Sequence, residues 1–177
     1  HSARLMLSMG ILAAGTDPTR NQLAAAVDPF CDHPDQWALL ATHPELVPQA
    51  VDEVMRFAPI VLNVPRYVTE DVELSGFFFP RDSLVVANTA AANRDPLVYD
   101  NPDQFDITRH DVPPMLTFGG GVHYCLGSHL ARLELVRALT VLTQRMPNIR
   151  RTGPAPWKPL MAVSGPQTLS VEFDAGH

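Results

Sequence analysis

Ten residues constrain this chain more than any others: Phe118-Gly119-Gly120-Gly121-Val122-His123-Tyr124-Cys125-Leu126-Gly127. They read as a glycine-rich loop that sets one thiol at the start of a long helix. Apolar residues at Leu126, Leu130, Leu133, Val136, Leu139, Val141 and Leu142 roughly follow helical spacing, which predicts a helix from Leu126 to about Met146. A sulfur at a helix N-terminus faces backbone N–H groups and the positive end of the helix dipole, a setting that favours thiolate. Gly119 to Gly121 permit a tight turn, and Gly127 lets a flat ring approach the backbone.

Several chemistries share such a stretch. A lone Cys before a helix is ordinarily a small buried hydrophobe. A glycine-rich loop before a helix can cradle phosphate, but the Lys-Ser/Thr pair of a P-loop does not follow here. His123, Cys125 and His129 could bind zinc, yet the Cys-rich spacing of a structural site is missing. A thiolate with its own hydrogen-bond donors also suits one axial position on a haem iron.

The pattern Phe-x-x-Gly-x-His-x-Cys-x-Gly, filled by Phe118, Gly121, His123, Cys125 and Gly127, resembles the haem-binding signature of the cytochrome P450 family. The resemblance implies a mainly α fold with small β-sheets, the C-terminal half of the P450 fold from the distal helix to the C-terminal sheet. The family's complete domain is more than twice as long. Residues 1–177 are therefore expected to be a partial domain with the N-terminal half absent.

Composition agrees with a globular protein. Hydrophobic residues make up 46% of the chain and charged residues 18%, so it is not a disordered sequence. A net charge of -6 argues against nucleic acid as a partner. Two cysteines, Cys31 and Cys125, supply no disulfide framework and fit a reduced, cytoplasmic setting. Leu5 to Gly15 is apolar but too short to span a bilayer, so no membrane partner is expected.

Residues 3 to 30 read as a long helix interrupted by Ala14-Gly15-Thr16-Asp17-Pro18-Thr19. A glycine and a proline there either kink one helix, freeing carbonyls that could hold water, or end it, with Asp17 capping a second helix. The resemblance favours one kinked helix, because Ala14-Gly15-Thr16-Asp17 looks like the family's distal helix. Asp17 is then the proton-relay acid. The family's relay threonine is replaced by Pro18, leaving Thr16, Thr19 or water as the hydroxyl source.

Short helices are predicted from Asp32-His33-Pro34 to about Ala41 and from His43-Pro44 to about Phe57. Within the second, Glu53 and Arg56 share one face at i and i+3. By spacing alone they are an ordinary surface pair worth a few tenths of a kcal/mol. By resemblance they are the family's Glu-x-x-Arg, a buried ion pair that pins the loop before the Cys. The family's third member, an Arg in Pro-x-Arg-Phe, is Gln104 in Pro102-Asp103-Gln104-Phe105, so Arg56 is expected to rest on backbone carbonyls or on Gln104.

Between Pro59 and Val86, β-branched runs predict strands at Val64–Val68, Val72–Leu74 and Ser83–Val86. A short helix at Thr89–Asn93, a meander from Asp100 to Pro114, and strands at 149–151, 161–163 and 168–173 complete the reading. By resemblance, Arg66 and His123 reach the haem propionates. Ala14, Gly15, Phe118, Gly119, Leu126, Gly127 and Ala131 contact haem b, and Cys125 ligates its iron. Leu62 and Val64, with the turn Gly165-Pro166-Gln167, border the substrate pocket. Their apolar character suggests a lipophilic small molecule.

The implied activity is that of a haem-thiolate monooxygenase served by a ferredoxin-type partner and a reductase. Arg132, Arg137 and Arg145 offer a basic face for an acidic partner. Pro18 leaves open a peroxide-driven oxidation, and the half-length leaves open a haem-free structural module. A half-domain is further expected to hold haem weakly or not at all, to be inactive alone, and to self-associate through an unusually large apolar face.

Overall fold

The computed structural model describes residues 2–110, 113–158 and 163–175. Its backbone is five α-helices and three two-stranded antiparallel sheets among those residues. Helix α1 (Ser2–Asp32) is a single continuous helix, so the alternative of a stop at Asp17 is not taken. Pro18 lacks the N–H that Ala14's carbonyl would receive, but its neighbours keep the helical path. Asn21 Nδ2 donates to the Asp17 carbonyl at 2.7 Å, and Thr16 Oγ1 donates to the Leu12 carbonyl at 3.0 Å.

Helix α2 (Pro34–Thr42) starts with proline in its first turn. A 3-10 turn (Pro44–Leu46) leads into α3 (Val47–Phe57), whose apolar residues fall on one face. Strand β1 (Asn63–Tyr67) pairs with β4 (Leu84–Asn88), aligning Arg66 with Val85. Between them lies a hairpin of β2 (Val72–Leu74) and β3 (Phe77–Phe79). The second of these strands was not expected, because its three consecutive phenylalanines carry no polar–apolar alternation. Helix α4 (Thr89–Ala92) is capped by Asn88, whose side chain accepts the Ala91 N–H at 2.8 Å.

Helix α5 (Ser128–Arg145) starts two residues later than the expected Leu126, because its first full turn closes only when the Ala131 N–H meets the Gly127 carbonyl at 2.9 Å. Strands β5 (Arg150–Arg151) and β6 (Val171–Glu172) form the third sheet. Residues 161 and 162 of the expected strand at 161–163 lie outside the described residues.

The core gathers where the second half of α1 meets α2, α3, α5 and the meander. Phe30, Trp37, Val51, Val54, Phe105, Ile107, Leu135 and Leu139 are buried there. Phe30 packs its ring against both Trp37 and Phe105 at 5.1 Å between centroids. Trp37 also donates its indole N–H to the Met146 carbonyl at 2.9 Å, which closes the end of α5. No helix of the described residues is long and apolar enough to cross a membrane.

Candidate functional site

An open cavity of about 600 Å³ lies between α1 and the start of α5. One wall is Ala14, Gly15, Pro18, Thr19 and Gln22 of α1. The opposite wall is Phe118, Gly119, His123, Cys125 and Gly127, continued by Leu130 and Ala131 of α5, and β1 closes a third side with Val64 and Arg66. The thiol and the proline-bearing helix, separated by over a hundred residues of sequence, thus face a common space. Its volume is in the range of small-molecule and cofactor sites.

The thiol is presented by a loop whose shape requires glycine at two places. Gly119 and Gly121 have φ of 74° and 65°, in the left-handed region that side chains disfavour. The loop closes on itself where the Cys125 N–H donates to the Phe118 carbonyl at 3.0 Å. Residues Gly121–His123 form a 3-10 turn. Cys125 is a free, exposed cysteine. Because α5 begins only at Ser128, its sulfur stands just ahead of the first helical turn rather than within it. Below the loop, the Phe118 ring is covered by the Arg132 guanidinium at 4.7 Å.

Glu53 and Arg56 are both buried, with side chains 3% exposed, and are joined by two hydrogen bonds of 2.7 and 2.8 Å. Arg56 then donates to three carbonyls, those of Asn93 (3.0 Å), Pro102 (2.8 Å) and Gln104 (3.1 Å). The expected reliance on carbonyls is what the geometry has, and Gln104 contributes its backbone oxygen. Asn93, fully buried, passes the connection to the Cys loop: it accepts the Leu116 N–H at 2.8 Å and donates to Thr117 Oγ1 at 2.8 Å. Thr117 in turn donates to the Met55 carbonyl at 2.9 Å.

A residue the sequence reading missed completes this cluster. Arg109 lies 3.4 Å from Glu53 through Nε, with only 11% of its side chain exposed. It donates to the carbonyls of Asp100, Asn101 and Gln104. A second guanidinium thus approaches Glu53 from a position five residues after Gln104, where a search at fixed spacing does not look, although its buried Nε makes no hydrogen bond.

Some expected site residues stand apart from the cavity. Leu126 is almost fully exposed and is not in the lining. Leu62 lines a separate cleft beside Trp157 and Phe57. The Thr16 hydroxyl is turned back onto its own helix at Leu12. Asp17 is half-exposed and pairs with Arg20 at 2.6 Å, outside the lining. That hydrogen bond from Arg20 holds its carboxyl below the usual carboxylate value, outweighing the opposing effect of burial, and Lys158 adds to it. Arg132 is not a free docking charge, because its Nε donates to Asp52 at 2.9 Å. Burial works against its charge, but Asp52 and Tyr124 together raise its pKa. Arg137 and Arg145 remain exposed on α5.

A sequence profile described as Cytochrome P450 matches residues 33–147. The chain is 41% identical to luteothin monooxygenase of Streptomyces thioluteus over 93% of its own length and 41% of that protein's. It is 43% identical to nocardicin C N-oxygenase of Nocardia uniformis subsp. tsuyamanensis, covering 92% of this chain and 42% of the other. Among solved structures, CalO2 superposes with a TM-score of 0.88 at 39% identity, over 95% of this chain and 43% of that one. CYP105D6 gives 0.91 at 34% identity, over 97% and 45%. The chain therefore spans roughly two fifths of the length of these relatives and has part of their fold. Since the profile takes in the Glu53–Arg56 cluster, the meander and the thiol loop in one continuous match over well more than half of the chain, the chain belongs to the cytochrome P450 family.

Proposed function

We propose that this chain supplies the thiolate wall and the opposite helical wall of a haem-thiolate monooxygenase acting on a lipophilic small molecule. The observation that carries the reading is the exposed Cys125 thiol in a largely apolar cavity, across from Ala14, Gly15 and Thr19. The donor set suits haem b: one soft sulfur, a glycine at Gly127 where a Cβ would meet open space, and polar groups at the rim in Arg66 and His123. Cys125 would hold the iron, Arg66 and His123 the propionates, and Phe118, Gly119, Gly127 and Ala131 the ring. When bound, haem supplies a thiolate-ligated iron that favours O–O cleavage.

The chain's own groups do the rest. Val64, Ile60 and Leu135 keep the cavity apolar and exclude water. Thr19 brings a hydroxyl to the wall that Pro18 leaves without an N–H. Asp17, at the solvent side and paired with Arg20, is the acid of this reading that exchanges protons with bulk water. Electrons would come from a ferredoxin-type partner and its reductase, docking on exposed Arg137 and Arg145 rather than on the engaged Arg132. A cytoplasmic location and self-association of the isolated chain belong to the same reading. Pro18 at the relay position favours a second possibility, peroxide as the oxidant.

Hemin titration of the chain, followed by reduction under carbon monoxide, tests the reading. Weak binding with a red-shifted Soret band that Cys125→Ser abolishes is the expected result. An unchanged band in Cys125→Ser would remove Cys125 as the ligand. Comparing product yield from peroxide with that from a reductase chain separates the two oxidants.

A further inference from the structure

Two adjacent residues of α1, Asn21 and Gln22, are polar and yet only 5% and 4% exposed. Buried amides are tolerated when their hydrogen bonds are made, and both are tied to other parts of the chain. Gln22 Nε2 donates to the Ala58 carbonyl at 3.0 Å, and its Oε1 accepts the Ile60 N–H at 3.3 Å. Asn21 Oδ1 accepts from Lys158 Nζ at 2.7 Å. Lys158 is the single lysine of the sequence.

Lys158 is paired with Ser164 and Gly165 of the C-terminal segment. Its N–H donates to the Gly165 carbonyl at 2.9 Å, and its own carbonyl accepts from Ser164 Oγ at 3.2 Å. The Ser164 N–H donates at 2.7 Å to the Ile60 carbonyl, the same residue whose N–H is held by Gln22. Gly165 approaches α1 so closely that a Cβ there would lie 3.2 Å from Asn21 Cβ. Three segments distant in sequence thus meet at Asn21 and Ile60. Gln22 and Ile60 line the cavity, whereas Lys158, Ser164 and Gly165 do not.

From this geometry we infer that Lys158 and Ser164 are positioning residues for the substrate wall. They hold Ile60 and Gln22 in place from behind, so the C-terminal segment controls the cavity without lining it. The inference rests on the proposed reading that this cavity takes a lipophilic molecule. The ammonium–amide contact fixes Lys158, and with it Ser164 and Gly165, against α1, and the Ser164–Ile60 bond transmits that position to the wall. Loss of either loosens residues 58–64 and widens the range of molecules accepted.

Amide hydrogen exchange on the full chain tests this. Lys158→Met is expected to speed exchange at least tenfold in 163–168 and at least threefold in 58–64, leaving α3 and α5 within twofold. Lys158→Arg, which can still reach Asn21, restores both segments. Gln22→Met cuts the other arm, and exchange at 58–64 then rises with Ser164 following. Unchanged exchange in Lys158→Met, an equal rise throughout the chain, failure of Lys158→Arg to restore protection, or a Ser164 amide indifferent to Gln22→Met each overturns the inference. Hemin titration of the same variants keeps the two readings apart. Exchange as expected with a Soret band that Cys125→Ser leaves unchanged removes the haem-thiolate reading alone, and hemin uptake with unchanged exchange removes the positioning role alone.

Discussion

The two halves of α1 have similar apolar content and opposite fates. From Ser2 to Thr16 every residue is exposed, including Met6 at 75% and Leu12 at 70%. From Asn21 to Phe30 the helix is buried along one face, with Ala25 and Phe30 fully enclosed. Hydrophobicity alone therefore did not decide burial. The second half is covered because α3, α5 and the meander are packed against it, and no described element packs against the first half. One helix thus carries both a core stripe and an unpartnered apolar face, with the cavity beginning at the junction between them.

The comparison is sharpest at the buried charges beyond the second half. Glu53→Ala leaves the Arg56 guanidinium buried without its carboxylate and removes the acceptor of the Asp106 N–H. A loss of about 3–5 kcal/mol is expected, read as a lowered denaturation midpoint or an unfolded chain. Within α1 itself, Phe30→Ala should cost about 3–5 kcal/mol, whereas Leu7→Ala should stay within about 0.5 kcal/mol. Equal losses in the two variants would break the comparison.

The exposed half should reveal itself through association instead of stability. Contiguous exposed apolar surface of this kind promotes self-association. Leu7→Glu with Leu12→Glu is expected to shift the chain toward monomer in sedimentation velocity, with little change in melting. The smallest effect lies at the junction. The folded pKa of Asp17 is depressed, so its contribution is present above the unfolded value and is lost as pH falls through the folded value. Since the group is exposed, stability will barely register this, but a carboxyl titration by NMR will. Arg20→Ala should bring Asp17 back up toward its ordinary value.

Much of the fold is legible in the sequence. Proline at first turns placed α2, and apolar spacing placed α3 and most of α5. Asn88 as a cap went unread although the short helix after it was foreseen. The Cys-loop pattern identified one cavity wall, and the Gly-Pro interruption in α1 marked the other. Arg109 was not legible, because its partner Glu53 is distant in sequence and its position departs from the expected spacing. Asn21 and Gln22 read as ordinary helix residues, and nothing local says that they are buried.

By itself the sequence determined the local chemistry: where helices start, where glycine is needed, and which thiol stands ahead of α5. Those properties depend on neighbours a few residues away, so they are written in order along the chain. Only the tertiary structure decided which apolar face is covered, which arginine completes the Glu53 cluster, and that Lys158 meets Asn21. These contacts join segments far apart in sequence, and whether a side chain is dry, paired or exposed depends on what the fold brings beside it.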